Sequence, residues 1–275
     1  MKTIIAPTDF SATSLNAVDY AADLATAIHA DLILLHVVQV PLTVSEVIMP
    51  EPAFEEMVEQ ATEDLNALAV RLAVKTKGRI NISSEIKMGD TEHQIEEMTN
   101  DKKPFALVMG IKSGSSIKRF FIGSNTLSVE KHLYCPVLII PENVHFDGIN
   151  KIGLACDLQH VATTLPFKAL QDWLSAFHAT LDIIHVSKKE GEESALTGEC
   201  ISVHNHLNRF QPEFNFLTGD NLAESLQEFV KQHNIDLLII IPKRHGLLEL
   251  FDEKHAKKVV THQNIPVLSI HAVGV

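Results

Sequence analysis

Internal repetition constrains this chain most. "AIHADLILLHV" at 27–37 aligns with "AFHATLDIIHV" at 176–186, with six identities in eleven positions. Such self-similarity means one supersecondary plan used twice. "MGD" at 88–90 is echoed by "TGD" at 218–220, and "CPVLII" at 135–140 by "IPVLSI" at 265–270. The first pair is offset by 149 residues and the other two by 130, so the first copy is nineteen residues longer between its second and third strands. The 275 residues therefore read as two tandem domains, 1–143 and 149–275. The seam lies near "PENVHFDGIN" (141–150), where Pro, Asn, Asp and Gly cluster.

Each copy alternates short apolar runs with helical patterns. "TIIAP" (3–7), "DLILLHVV" (31–38), "INISSEIK" (80–87), "FALVMG" (105–110) and "PVLII" (136–140) read as strands. Ser11 or Ser14 caps a helix carrying Leu15, Val18, Ala22 and Ala25 on one face. A long helix spans 51–77 and stops at Gly78. Thr91 with Gln94 forms a capping-box pattern opening the next helix. The second copy repeats the plan with strands near 151–156, 181–187, 213–217, 236–241 and 266–270, and a shorter middle helix within 192–209. Continuous apolar strands separated by helices indicate an α/β fold, with parallel sheets covered on both faces.

The net charge of −12 argues against general binding of nucleic acid or anionic membrane, which needs clustered Lys and Arg. No apolar run reaches the roughly 18–20 residues of a membrane span, and "MKTIIAPTDF" is too short in its apolar stretch for a signal peptide. Three cysteines, Cys135, Cys156 and Cys200, with no close pair, fit a reducing compartment. A cytoplasmic location is expected.

In open parallel sheets, ligands bind beyond the carboxyl ends of strands, where the winding reverses. Polar residues and glycines interrupt the apolar strands at those ends: "PTD" (7–9), "HVV" (36–38) and "MGIKSG" (109–114). Gly110 admits a close backbone approach. "GSN" (123–125) precedes a helix start, where free N–H groups favour an anion. Ser124 adds a hydroxyl, Lys118 or Arg119 a countercharge, and Asp9 an acceptor for ribose or amino groups. Together these point to a nucleotide.

These stretches, with "IIAPTDFSATSLNAVDYAADLA", "LVMGIKSGSSIKRFFIGSN" and "CPVLII", resemble the universal stress protein family in its tandem two-domain form. The resemblance implies a Rossmann-like fold of adenine nucleotide alpha hydrolase type, each half a five-stranded parallel sheet of order 3-2-1-4-5. It implies that ATP, with or without Mg²⁺, is held by Asp9 and the backbone of Val37 at the adenosine. Gly110, Gly123, Ser124 and Asn125 would hold the phosphates. ATP-binding members carry a second glycine where this chain has Ser113, its own glycine falling one place late at Gly114. If that position needs φ > 0, serine costs on the order of 1–2 kcal/mol, about tenfold in affinity. The resemblance also implies that the fifth strands pair antiparallel within one chain as an internal pseudo-dimer, with a homodimer as a further arrangement.

The second copy departs from that pattern. Asp157 keeps the first-strand acid and His185-Val186 matches His36-Val37, but Pro242 stands where Gly110 would be, and Asp252 and Glu253 replace a glycine-serine pair. This half is expected not to bind ATP. The leading reading is a stress-responsive nucleotide-binding module, with at most slow ATP hydrolysis, since no general base stands out. The alternative is a nucleotide-free protein that binds an unknown protein partner or another small ligand through its second half. An enzyme there would have only Asp157, His185 and His245. His36 and His185 read as structural histidines at strand ends. Among fifteen histidines, His204 and His206 form the closest pair, and zinc there is a minor alternative lacking a third ligand.

Overall fold

The computed structural model describes residues 1–39, 51–111, 133, 135–187, 191, 194–219, 221–242 and 263–271, the side chains of 51–53 aside. The first half runs β1 (Thr3–Pro7), α1 (Ala12–Ile28), β2 (Asp31–Val38), α2 (Glu51–Lys75), β3 (Ile82–Met88), α3 (Thr91–Lys102), β4 (Ala106–Ile111) and β5 (Val137–Pro141). The second runs β6 (Lys151–Ala155), α4 (Val161–Thr164), α5 (Phe167–Phe177), β7 (Thr180–Ser187) and α6 (Thr197–Leu207). It ends with β8 (Glu213–Thr218), α7 (Leu222–Gln232), β9 (Leu237–Ile240) and β10 (Val267–Ser269).

The ten strands of the described residues form one sheet, in the order β3-β2-β1-β4-β5-β10-β9-β6-β7-β8. Each half is parallel with the expected order 3-2-1-4-5. The halves join where β5 and β10 pair antiparallel, Leu138 opposite Leu268. Strands with apolar side chains at every position can only be central strands covered on both faces. Accordingly Ile4, Ile5 and Ala6 of β1 are fully buried, as are Leu237, Leu238 and Ile239 of β9.

The helix ends follow local chemistry. Ser11 caps α1, its side chain accepting from the Ser14 N–H, and His29 closes the helix in the left-handed region. The cap of α3 is Asp90, whose Oδ1 accepts from the His93 N–H at 2.9 Å. Thr91, expected as the cap, is instead the first helical residue, because a carboxylate one place earlier meets the free N–H groups directly. The second half breaks its first helix into α4 and α5, because Pro166 lacks the N–H to continue a helix.

One apolar core runs along a whole face of the sheet, through both halves, beneath α1, α2, α5 and α6. Among the described residues, the opposite face holds two separate cores, one around α3 and one around α7. Across the seam the Phe105 ring stacks on Trp173 at 4.7 Å, and Tyr20 meets Phe146 edge-on at 5.3 Å. The Asn16 amide donates to the Val144 carbonyl at 3.1 Å, fastening α1 to the connector. Among the described residues, no helix is long and apolar enough to cross a membrane.

Candidate functional site

The exit from β1 is a tight turn held by its own side chains. The Thr8 N–H donates to the Leu35 carbonyl at 2.8 Å. Buried Thr8 then bends the chain, its hydroxyl accepting from the Phe10 N–H at 3.0 Å and bonding the Ser14 hydroxyl at 3.0 Å. Phe10 sits at φ 61°, left-handed for a residue with a Cβ, a conformation costing about 1–2 kcal/mol. The turn recovers that cost through hydrogen bonds and through the Phe10 ring against His36, centroids 4.7 Å apart.

This turn thrusts the Asp9 carboxylate outward at the carboxyl end of β1. One of its oxygens, Oδ1, accepts from the Ser11 N–H at 3.1 Å and the Ser11 hydroxyl at 2.6 Å. Partial burial works to raise the Asp9 pKa, but the bonds from Ser11 and Ser14 outweigh it and hold the carboxyl below its ordinary value. Asp9 is thus a charged acceptor at neutral pH, exposed and fixed in place.

Asp9, Val37 and Gly110 lie at the carboxyl ends of β1, β2 and β4, three adjacent strands meeting where the winding reverses between β1 and β4. Gly110 has a cause inside the protein. A Cβ there would lie 2.4 Å from the Thr13 carbonyl oxygen, so the close backbone approach expected at this glycine is that of α1. Ser113, Gly123, Ser124 and Asn125, with Lys118 and Arg119, lie outside the described residues.

The second half builds the same turn. Leu158 is left-handed at φ 51°, and its N–H meets the Cys156 sulfur at 3.3 Å. Asp157 Oδ1 accepts from the Gln159 N–H at 3.2 Å. Its surroundings differ: Asp157 is only 5% exposed, whereas Asp9 lies open. Glu199, reaching from α6, sets its two carboxylate oxygens on the N–H groups of His160 and Val161 at 3.2 and 3.0 Å. The chain's own anion thus fills the start of α4. Strand register corrects one expectation: with Asp157 matched to Asp9, Ile5 pairs Leu107 while Gly153 pairs Leu238. Ile241, not Pro242, therefore stands where Gly110 does. Ile241 is buried there, in the apolar core that runs through both halves.

The zinc alternative finds no support in the geometry. His204 and His206 sit on α6, where residues two apart point to different sides. His206 stacks flat on Phe167 at 4.0 Å and bonds the Ser202 carbonyl. Among the described residues no three His, Cys, Asp or Glu side chains group as metal ligands. No disulfide joins the three cysteines, and burial pushes the Cys135 thiol up to about 12. His245 lies outside the described residues.

A doubly wound parallel sheet built twice in tandem, with an exposed acid at one switch point, defines the class as a tandem Rossmann-like α/β protein. A sequence model described as the universal stress protein family matches residues 1–141, just over half of the chain, and this chain belongs to that family. A universal stress protein of Methanocaldococcus jannaschii is 28% identical over 141 residues, 50% of this chain and 81% of that protein. A universal stress protein from Archaeoglobus fulgidus superposes with TM-score 0.74 over 98% of both chains at 17% identity. A putative universal stress protein from Pseudomonas aeruginosa gives 0.58 over 99% of this chain and 94% of that one at 13% identity. At those identities the two structures speak to the tandem fold alone.

Proposed function

We propose that this protein is a stress-responsive module that binds an adenine nucleotide at the carboxyl ends of β1, β2 and β4. Two tandem domains, 1–143 and 149–275, divide the work: the first holds the ligand, and the second is a degenerate partner. The observation that carries this reading is the exposed, prefixed Asp9 carboxylate at the switch point, beside the Val37 backbone. A charged acceptor held by Ser11 costs little further ordering when it takes hydrogen bonds from a ribose hydroxyl or an amino group. Gly110, Ser113, Gly123, Ser124 and Asn125 supply the phosphate-holding segment in this reading, Mg²⁺ accompanying the phosphates. Family membership supports it.

The buried Asp157 and the Glu199 carboxylate on α4 support the division between halves. A phosphate would meet a site already carrying negative charge. Three cysteines without a disulfide fit a reducing, cytoplasmic setting. The module acts by binding, with hydrolysis slow at most. Denaturing freshly purified protein and analysing the supernatant by absorbance near 260 nm and by mass tests the reading. Adenine nucleotide approaching one per chain agrees with it. Apo protein that also takes up none at millimolar ATP contradicts it.

A further inference from the structure

Resting on the nucleotide reading above, we propose that His36 is the positioning residue of the site: its imidazole ends the β1–β2 ladder one rung early and thereby sets both the Val37 N–H and the Asp9 turn. The register makes this concrete. Odd-numbered residues of β2 turn their N–H groups toward β1, as Asp31 does to the Lys2 carbonyl at 2.9 Å, while Leu32 donates the other way to Asn81. With Pro7 opposite Leu35, the next rung would run from the Val37 N–H to the Thr8 carbonyl. Among the described residues that bond is not made. His36 Nδ1 takes the Thr8 carbonyl instead, at 2.7 Å.

A carbonyl oxygen only accepts, so Nδ1 carries the proton and the tautomer is fixed. The result has two parts. The Val37 N–H is left at the strand end without its ladder acceptor. The Thr8 carbonyl is pinned at the root of the turn whose next residue is Asp9, with the Phe10 ring resting on the same imidazole. The arrangement is used twice: His185 Nδ1 donates to the Cys156 carbonyl at 3.1 Å. There the imidazole is buried, 3% exposed, and its ring meets the Phe216 edge. One device thus serves an open site in the first half and a closed one in the second.

Three variants separate positioning from mere packing. In His36→Asn the side-chain amide nitrogen stands as many bonds from Cα as Nδ1, so the donor is kept. His36→Gln moves it one bond further out, and His36→Leu removes it. The first readout needs no nucleotide: the carboxyl carbon of Asp9 is titrated by NMR. It should move up toward the ordinary aspartate range in the Leu and Gln variants and stay at the wild-type value in the Asn variant. The second is calorimetric ATP affinity, expected to fall about tenfold for Leu and Gln and less than about threefold for Asn. His185→Leu should change neither.

Unchanged Asp9 titration and unchanged ATP affinity in His36→Leu would overturn the proposal. Equal losses in the Asn and Gln variants would also overturn it, since they would mark a packing role. If His36→Leu does not fold, the Asn and Gln pair decides. If the wild-type protein takes no ATP, the nucleotide reading fails, and the positioning claim stands or falls on the Asp9 titration alone.

Discussion

At Gly110 a methyl group would enter the space held by the Thr13 carbonyl, and the atom in its way is backbone, not the free end of a side chain. Gly110→Ala therefore has to lever the first turn of α1 off β4. We expect a loss of about 1–3 kcal/mol in urea unfolding, along with weaker ligand binding, because Asp9 and Ser11 sit on the displaced turn. A stability within a few tenths of wild type would show that α1 has slack there. This residue was legible as a glycine that admits a backbone, but not which backbone: the Thr13 contact joins positions 97 residues apart. Asp9 was legible because its partners Ser11 and Ser14 are local. His36 was not, since its bond to Thr8 spans 28 residues and a histidine ending a strand has a sufficient structural explanation.

At the scale of elements, the strands announced themselves as continuous apolar runs, and even the shortened middle helix of the second half fell at Thr197–Leu207, inside the expected span. The broken first helix of that half did not, because Pro166 in "VATTLPFKAL" is compatible with either a break or a kinked helix. Glu199 supplies the missing stabilisation. A four-residue helix is far below the length at which a helix persists alone, and α4 has no side-chain bond from its own cap. The Glu199 carboxylate on two successive N–H groups replaces that cap from 39 residues away. Glu199→Ala is therefore expected to raise amide hydrogen exchange at His160 and Val161 by tenfold or more, roughly 1–2 kcal/mol of lost capping, while exchange in α1 is unaffected. Unchanged protection at those amides would show that α4 is held by packing and not by the carboxylate.

At the scale of the molecule, the two copies share one core on one face of the sheet. The apolar face under α1, α2, α5 and α6 is continuous across the seam, and Trp173, the only tryptophan, lies buried there against Phe105. Unfolding followed by tryptophan fluorescence and by far-ultraviolet circular dichroism should give coincident transitions. Two transitions, with the tryptophan signal following only the second half, would contradict a shared core. The duplication thus fuses the copies into one ten-stranded sheet while letting their strand ends diverge: one open around Asp9, one closed around Asp157 and Glu199.

The measurement that tests this division most directly is calorimetric titration of Mg²⁺-ATP into nucleotide-free protein, repeated with Asp9→Ala and with Asp157→Ala, each checked for native circular dichroism. One site per chain is expected, weakened at least about tenfold by Asp9→Ala and left intact by Asp157→Ala. Two equivalent sites, a site lost with Asp157 instead of Asp9, or no heat at millimolar ATP would contradict it.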